Sequence, residues 1–144
     1  KKHRTDRVIR ERGPLVLSED PIEPFSENLE PLWIDEVVQA AESALERKAT
    51  DVVALDLRGV SSATDFFLIA TGTSDIQVRA IAEHLVETLN AEGVKPLHVE
   101  GLDRARWVLL DFVDFVIHVF HPQARDFYQR ERLWGDAPSH LFSG

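Results

Sequence analysis

Hydrophobic positions along this chain change their period several times, and each change marks an element. From Trp33 onward, IDEVVQAAESALERK places Ile34, Val37, Val38, Ala41 and Leu45 at helical spacing. Asp35 and Glu36 fall in its first turn and Arg47 and Lys48 in its last, the order that suits the helix dipole. DVVALDL (Asp51–Leu57) is a short apolar run rich in β-branched residues, which predicts a strand. Arg58-Gly59 opens a turn, and SSATD leads into a second strand, FFLIATG (Phe66–Gly72). Ser74 or Asp75 then caps a long helix, IQVRAIAEHLVETLN, closed by Gly93. Its expected buried stripe is Ile76, Ala80, Ile81, Leu85, Val86 and Leu89. PLHVEG (Pro96–Gly101) reads as a third strand. WVLLDF and FVIHVF flank Val113-Asp114, a tight hairpin connection, and ARDFYQRERLW reads as the last helix. The order α-β-β-α-β-β-β-α, with strands that are almost continuously apolar, predicts an α/β fold: a mixed five-stranded sheet with helices packed on it.

Ahead of Trp33 the pattern is lost. GPLVLSEDPIEPFSENLEP holds four prolines among acidic residues and only scattered apolar ones. Such a composition buries too little surface to offset ordering, so residues 1–32 are expected to form a flexible arm. The folded domain is expected over 33–137, with 138–144 as a C-terminal tail.

Composition narrows the class. A chain of 144 residues suits one domain with its own core, and 44% hydrophobic residues is ordinary for a globular protein. No apolar run approaches the length of a membrane span, so no membrane partner is expected. There is no cysteine, which removes disulfides, a cysteine nucleophile and zinc thiolate sites. There is no methionine, so a start upstream or a processed one is expected. Charge is uneven: residues 1–12 carry six Lys/Arg against two Asp/Glu, a net +4. The whole chain carries −9, which leaves −13 for residues 13–144. A body this acidic repels phosphate backbones, so the main domain is not expected to bind nucleic acid directly. A basic protein partner fits better, and ordinary solubility is the plainer explanation of the same charge.

Candidate chemistry is sparse. TGTSD (Thr71–Asp75) joins a strand end to a helix start, where backbone N–H groups can hold an anion. It lacks the lysine of a P-loop, and a turn at Gly72 with a Ser74 cap is the simpler account. Asp111 and Asp114 could hold Mg²⁺ only if the hairpin turned both the same way, and Asp114 reads most simply as a turn residue. No Asp-x-Asp pair follows Gly72-Thr73-Ser74, as nucleotide transfer would need. His118 sits in an apolar strand; His121 follows too soon to pair with it as a ligand and His98 stands on another strand, so the three are not expected to converge on a metal. No serine lies in a nucleophile elbow. No metal, cofactor or catalytic residue is therefore assigned. Aromatic residues stand out instead: Trp107, Phe112, Phe115, Phe127, Tyr128 and Trp134 gather in the last third. Aromatic side chains serve both cores and interfaces, and Trp107, just after Arg104 and Arg106, is a candidate exposed anchor.

Several segments together resemble one family. They are an Asp-aromatic strand entry (Asp65-Phe66), ATGTSD-x-Q, VEG, WVLLD, VIHVF and R-x-x-Y-x-x-E-R-L-W, in this order across about residues 33–136. Any one is weak; their combination resembles the ribosomal silencing factors, or Iojap-type proteins. The resemblance implies a nucleotidyltransferase-like fold without its catalytic acidic pair, and no enzyme activity. It implies binding to ribosomal protein uL14 on the large subunit, so that docking of the small subunit is blocked sterically and translation is repressed. It also implies a free protein that can pair as a homodimer. A cytoplasmic setting is expected, with mitochondria and plastids as alternatives. Two competing functions are carried forward: a large-subunit assembly factor, and a nucleotide-binding or nucleotidyl-transferring enzyme.

Because uL14 is basic on this reading, an acidic face with an aromatic anchor suits it. Trp107 is expected as the anchor, Phe112 as a neighbouring apolar contact, and Glu100, Asp103 and Asp111 as acidic contacts. Tyr128, Glu131 and Trp134 form a second group. Each also has a structural alternative: Glu100 ends a strand, Asp111 caps a turn, and Tyr128 and Trp134 pack a helix onto the sheet.

Overall fold

The structure, a computed structural model, describes residues 33–131 and 137–143, with side chains over 33–126 and 137–143. Helix α1 (Asp35–Glu46) leads to strands β1 (Thr50–Asp56) and β2 (Phe66–Thr71), then helix α2 (Asp75–Ala91). Strands β3 (His98–Glu100), β4 (Trp107–Asp111) and β5 (Phe115–Phe120) follow, then α3 (Pro122–Glu131) and β6 (Ser139–Phe142). The sheet runs β3-β4-β5-β2-β1-β6. β2 and β5 are parallel and every other pair is antiparallel, so the sheet is mixed.

Six strands replace the expected five. The sixth lies in the segment read as a tail: Ser139 to Phe142 pairs with Leu55 back to Val52 at the far edge. SHLF is only four residues long and carries no β-branched residue, and its extended form is fixed by the ladder with β1. The α1 helix ends at Glu46, with Arg47 as its C-cap, so neither Arg47 nor Lys48 lies in the last turn.

The period-2 rule sorts the strands into two faces. Val52, Ala54, Phe66, Leu68, Ala70, Val108, Leu110, Ile117 and Val119 face α1 and α2 and build the main core with Val37, Ala41, Ile81 and Leu85. The buried stripe of α2 is Val78, Ile81, Ala82, Leu85 and Leu89. Ala80 is exposed and Ile76 is 72% exposed, contrary to the expected stripe. A helix beginning at Asp75 puts Ile76 on the far side from Val78, and the 78-81-82-85-89 spacing is the true helical one. On the second face, Leu55, Ile69 and Phe120 form a smaller cluster against Ala124 of α3.

Candidate partner-binding face

The second face is covered unevenly. Cross-strand register places His98 beside Asp111 and Val116, Glu100 beside Leu109 and His118, and Trp107 beside Phe120. These residues share one face, the one opposite α1 and α2. α3 packs over the β1–β2–β5 part of it, while Leu109, Asp111 and Val116 stay half-buried and His98, Glu100 and Trp107 exposed. The β3–β4 half is thus an open platform at the sheet edge.

Trp107 is its largest exposed side chain, at 39%. It is held from beneath: its indole Nε1–H donates to Nδ1 of His118 at 3.0 Å, and its ring lies 5.1 Å from that of Phe120. His118 is itself wedged between aromatics, edge-on to Phe67 at 4.5 Å and parallel to Phe120 at 5.9 Å. Burial pushes the His118 imidazole down to about 4, so it is neutral at pH 7, and accepting the indole N–H at Nδ1 puts its one proton on Nε2. The lone histidine of the apolar strand is therefore the support that fixes the exposed tryptophan. In geometry it orients a side chain.

The loop before Trp107 is tightly folded. Gly101 has φ +91°, and a Cβ there would collide with the Trp107 carbonyl oxygen. The Gly101 carbonyl accepts from Ala105 N–H at 2.9 Å. From α2, Arg79 donates through Nε to the Leu102 carbonyl at 3.0 Å and through Nη2 to the Asp103 carbonyl at 2.8 Å. The VEG–W segment thus works as one rigid corner.

The expected contacts divide as follows. Trp107, Glu100 and Asp111 share the open platform, and Asp103 lies on the adjoining loop with its side chain exposed. Glu100 pairs with His98 at 2.6 Å on the same strand. Asp111 does cap the turn: its Oδ1 accepts from Val113 N–H at 2.8 Å, which supports a positive φ of 76° at Val113. Phe112 is corrected. It is 2% exposed, stacks on Phe115 at 4.8 Å and belongs to the core on the opposite side of the sheet. One step along a strand reverses the face, so Phe112 cannot flank Trp107. The side chains of Tyr128 and Glu131, and all of Trp134, lie outside the described residues. Leu109 and Val116 were missed as platform residues. Period-2 spacing from Trp107 and His118 was the signal available for both.

The TGTSD turn is internally satisfied. Ser74 Oγ accepts from Gln77 N–H at 3.1 Å, the N-cap bond. Gln77 Oε1 accepts from Thr73 N–H and Oγ1–H at 2.6 and 2.7 Å, while its Nε2 donates to the Arg47 and Lys48 carbonyls. Behind the turn, Arg125 Nη1 donates to Thr71 Oγ1 at 2.7 Å. Among the described residues, no three His, Asp or Glu side chains converge as metal ligands, and no helix is long and apolar enough to cross a membrane.

Comparison with known proteins gives concordant results. The family model described as "Ribosomal silencing factor during starvation" matches residues 28–143. A Bacillus subtilis protein named ribosomal silencing factor RsfS is 46% identical over 99 residues, covering 69% of this chain and 84% of its own. A crystal structure from Bacillus halodurans superposes with a TM-score of 0.65 at 42% identity, covering 74% of this chain and 98% of its own. More distantly, a Mus musculus protein named for mitochondrial assembly of the ribosomal large subunit is 30% identical over 92 residues, covering 62% of this chain and 40% of its own.

Proposed function

The chain belongs to the ribosomal silencing factor family, and from that premise we propose that its open β3–β4 platform binds ribosomal protein uL14 on the large subunit. Occupancy there blocks the small subunit and represses translation, with no bond made or broken. The supporting observation is Trp107: a large, half-exposed aromatic locked to His118, beside the apolar Leu109 and Val116 and the carboxylates of Glu100, Asp103 and Asp111. A preoriented aromatic surrounded by polar rim residues is the chemistry of an interface hot spot. Arg104 and Arg106 also border Trp107, so encounter with a basic partner is steered by the net −13 of residues 13–144 rather than by the rim alone, and the tryptophan supplies much of the affinity. The apolar part of the platform, Trp107, Leu109 and Val116, is the surface that pairing of two free copies would bury, and the setting proposed is a bacterial cytoplasm.

The test is the affinity of purified uL14 for wild type and Trp107→Ala. The expected loss is about 2 kcal/mol or more. Full retained affinity removes Trp107 as the anchor. The association rate should also fall steeply with ionic strength, and a flat response rejects the steering role.

A second reading comes from the mouse relative's name: the same contact used during large-subunit assembly. A subunit-joining assay separates the two. A silencing factor inhibits joining of mature subunits, and an assembly factor leaves it unaffected. Nucleotide chemistry at Thr71–Asp75 predicts Mg²⁺-dependent heat on titration with a nucleoside triphosphate; the Ser74 and Gln77 bonds that already occupy this turn favour a null titration.

A further inference from the structure

We propose that the uL14 contact wraps round the β3 edge, and that the groove between α2 and β3 takes a lysine or arginine side chain of that same basic partner. The inference rests on the uL14 reading and adds a second subsite to it. The groove is about 420 Å³, and its floor is apolar: Ala82, Val86, Val99 and Leu102. Its rim is acidic, with Glu83 and Glu87 one helical turn apart on α2.

Three features point to this occupant. The first is continuity. Val99 and Leu102 also line the cleft beside Trp107, so the groove and the tryptophan stand on two sides of one wall. The second is preorganisation. The wall is held by the two Arg79 bonds to the Leu102 and Asp103 carbonyls and by the Gly101–Ala105 bond. A partner side chain entering the groove therefore orders little that is not already ordered, which favours binding.

The third is chemistry. Among the described residues neither Glu83 nor Glu87 enters a salt bridge. Like charges at i and i+4 repel on a helix, and a cation between them relieves the repulsion. An apolar trough ending in two carboxylates matches a methylene stem carrying a positive head, as in lysine or arginine. An acidic side chain has the wrong sign for this rim. The body of a second copy, residues 13–144, carries a net −13 and has the same wrong sign, while its basic residues 1–12 are the competing occupant that the self-association readout tests.

The experiment compares uL14 affinity across wild type, Glu83→Gln/Glu87→Gln, Trp107→Ala, and a charge-matched control, Glu42→Gln/Glu92→Gln. Each is first checked for a cooperative melt. The groove variant should bind uL14 at least about tenfold more weakly at low salt, with the deficit shrinking as salt rises, while the control stays at wild-type affinity. Its melting temperature should not fall, because a like-charge pair has been removed. Wild-type affinity in the groove variant, with Trp107→Ala weakened, overturns the subsite and leaves the platform standing. A weakened groove variant with Trp107→Ala intact keeps the groove and removes the tryptophan anchor. Unchanged affinity in both overturns both. A groove variant that loses only self-association of the free protein assigns the groove to a second copy and overturns the proposal.

Discussion

The two faces of this sheet are made of the same strands and do opposite jobs. Toward α1 and α2, Leu68, Leu110 and Ile117 alternate with their neighbours into a fully buried layer. On the other side of the same β4 and β5 strands, Trp107, Leu109, Asp111 and Val116 reach the surface, and only His118 and Phe120 are buried. A sheet face covered by helices gains its free energy from burial within the chain. A face left half-covered retains apolar area that only a partner can bury. The closed face therefore answers to stability and the open one to binding. Substitutions a single residue apart should separate the two.

The largest effect is expected on the closed face. Leu68→Ala removes a fully buried side chain beneath α1 and α2 and should cost about 2–5 kcal/mol of unfolding free energy. Denaturant titration measures this. The affinity of the remaining folded fraction for uL14 should not change, and a specific loss of affinity would breach the division between the faces.

Next comes His118, the buried titratable group beneath Trp107. Its folded value of about 4 lies below the ordinary value near 6.5, so between these limits the unfolded chain binds the extra proton. Stability from the neutral imidazole is fully present above about 6.5 and is lost as pH falls through about 4, roughly 3 kcal/mol in all. His118→Phe, which can pack between Phe67 and Phe120, should flatten that part of the pH–stability curve while removing the acceptor for the Trp107 indole. Equal slopes in wild type and variant would mean that the imidazole is not buried in its neutral form.

Leu109→Ala gives a smaller contrast. Its side chain is half-buried, so truncation should cost about 1 kcal/mol of stability or less. It lies on the Trp107 platform, so uL14 affinity should fall by about 1 kcal/mol as well. Calorimetric unfolding and a binding titration on one sample read both numbers. A loss confined to stability would place the contact surface elsewhere than the platform.

Most of the fold was legible because strong periodicity produced it. Helix α1, the β1–β2 and β4–β5 pairs and the mixed sheet follow from apolar spacing. Part of what escaped was governed by tertiary context. β6 is four residues whose extension depends on pairing with β1. In α2, Ile81, Leu85 and Leu89 lie where the spacing predicts, but the first turn buries Val78 in place of Ile76, although the 78-81-82-85-89 spacing was there to be read. At the site, Trp107, Glu100 and Asp111 were found because residue type marked them. Phe112 was misplaced for the same reason: an aromatic beside an aspartate was read as a patch, whereas strand alternation sends it to the other face. The partnership of Trp107 with His118 needed the register of β4 against β5, which no spacing along the chain reveals.

The last contrast concerns a motif that serves neither face directly. Ser74 Oγ accepts from Gln77 N–H, and Gln77 reaches back to Thr73 and across to the end of α1. Ser74→Ala removes one cap bond and should cost about 1 kcal/mol. Gln77→Ala cuts the link to the Arg47 and Lys48 carbonyls as well, so it should cost somewhat more, although Gln77 is only half-buried. Both losses should appear in thermal unfolding and leave uL14 affinity unaltered, because the bonds of Ser74 and Gln77 run to the turn itself and to the end of α1, while Trp107 is held by His118. A change in affinity from Ser74→Ala, at unchanged stability, would instead make this turn part of the recognition surface.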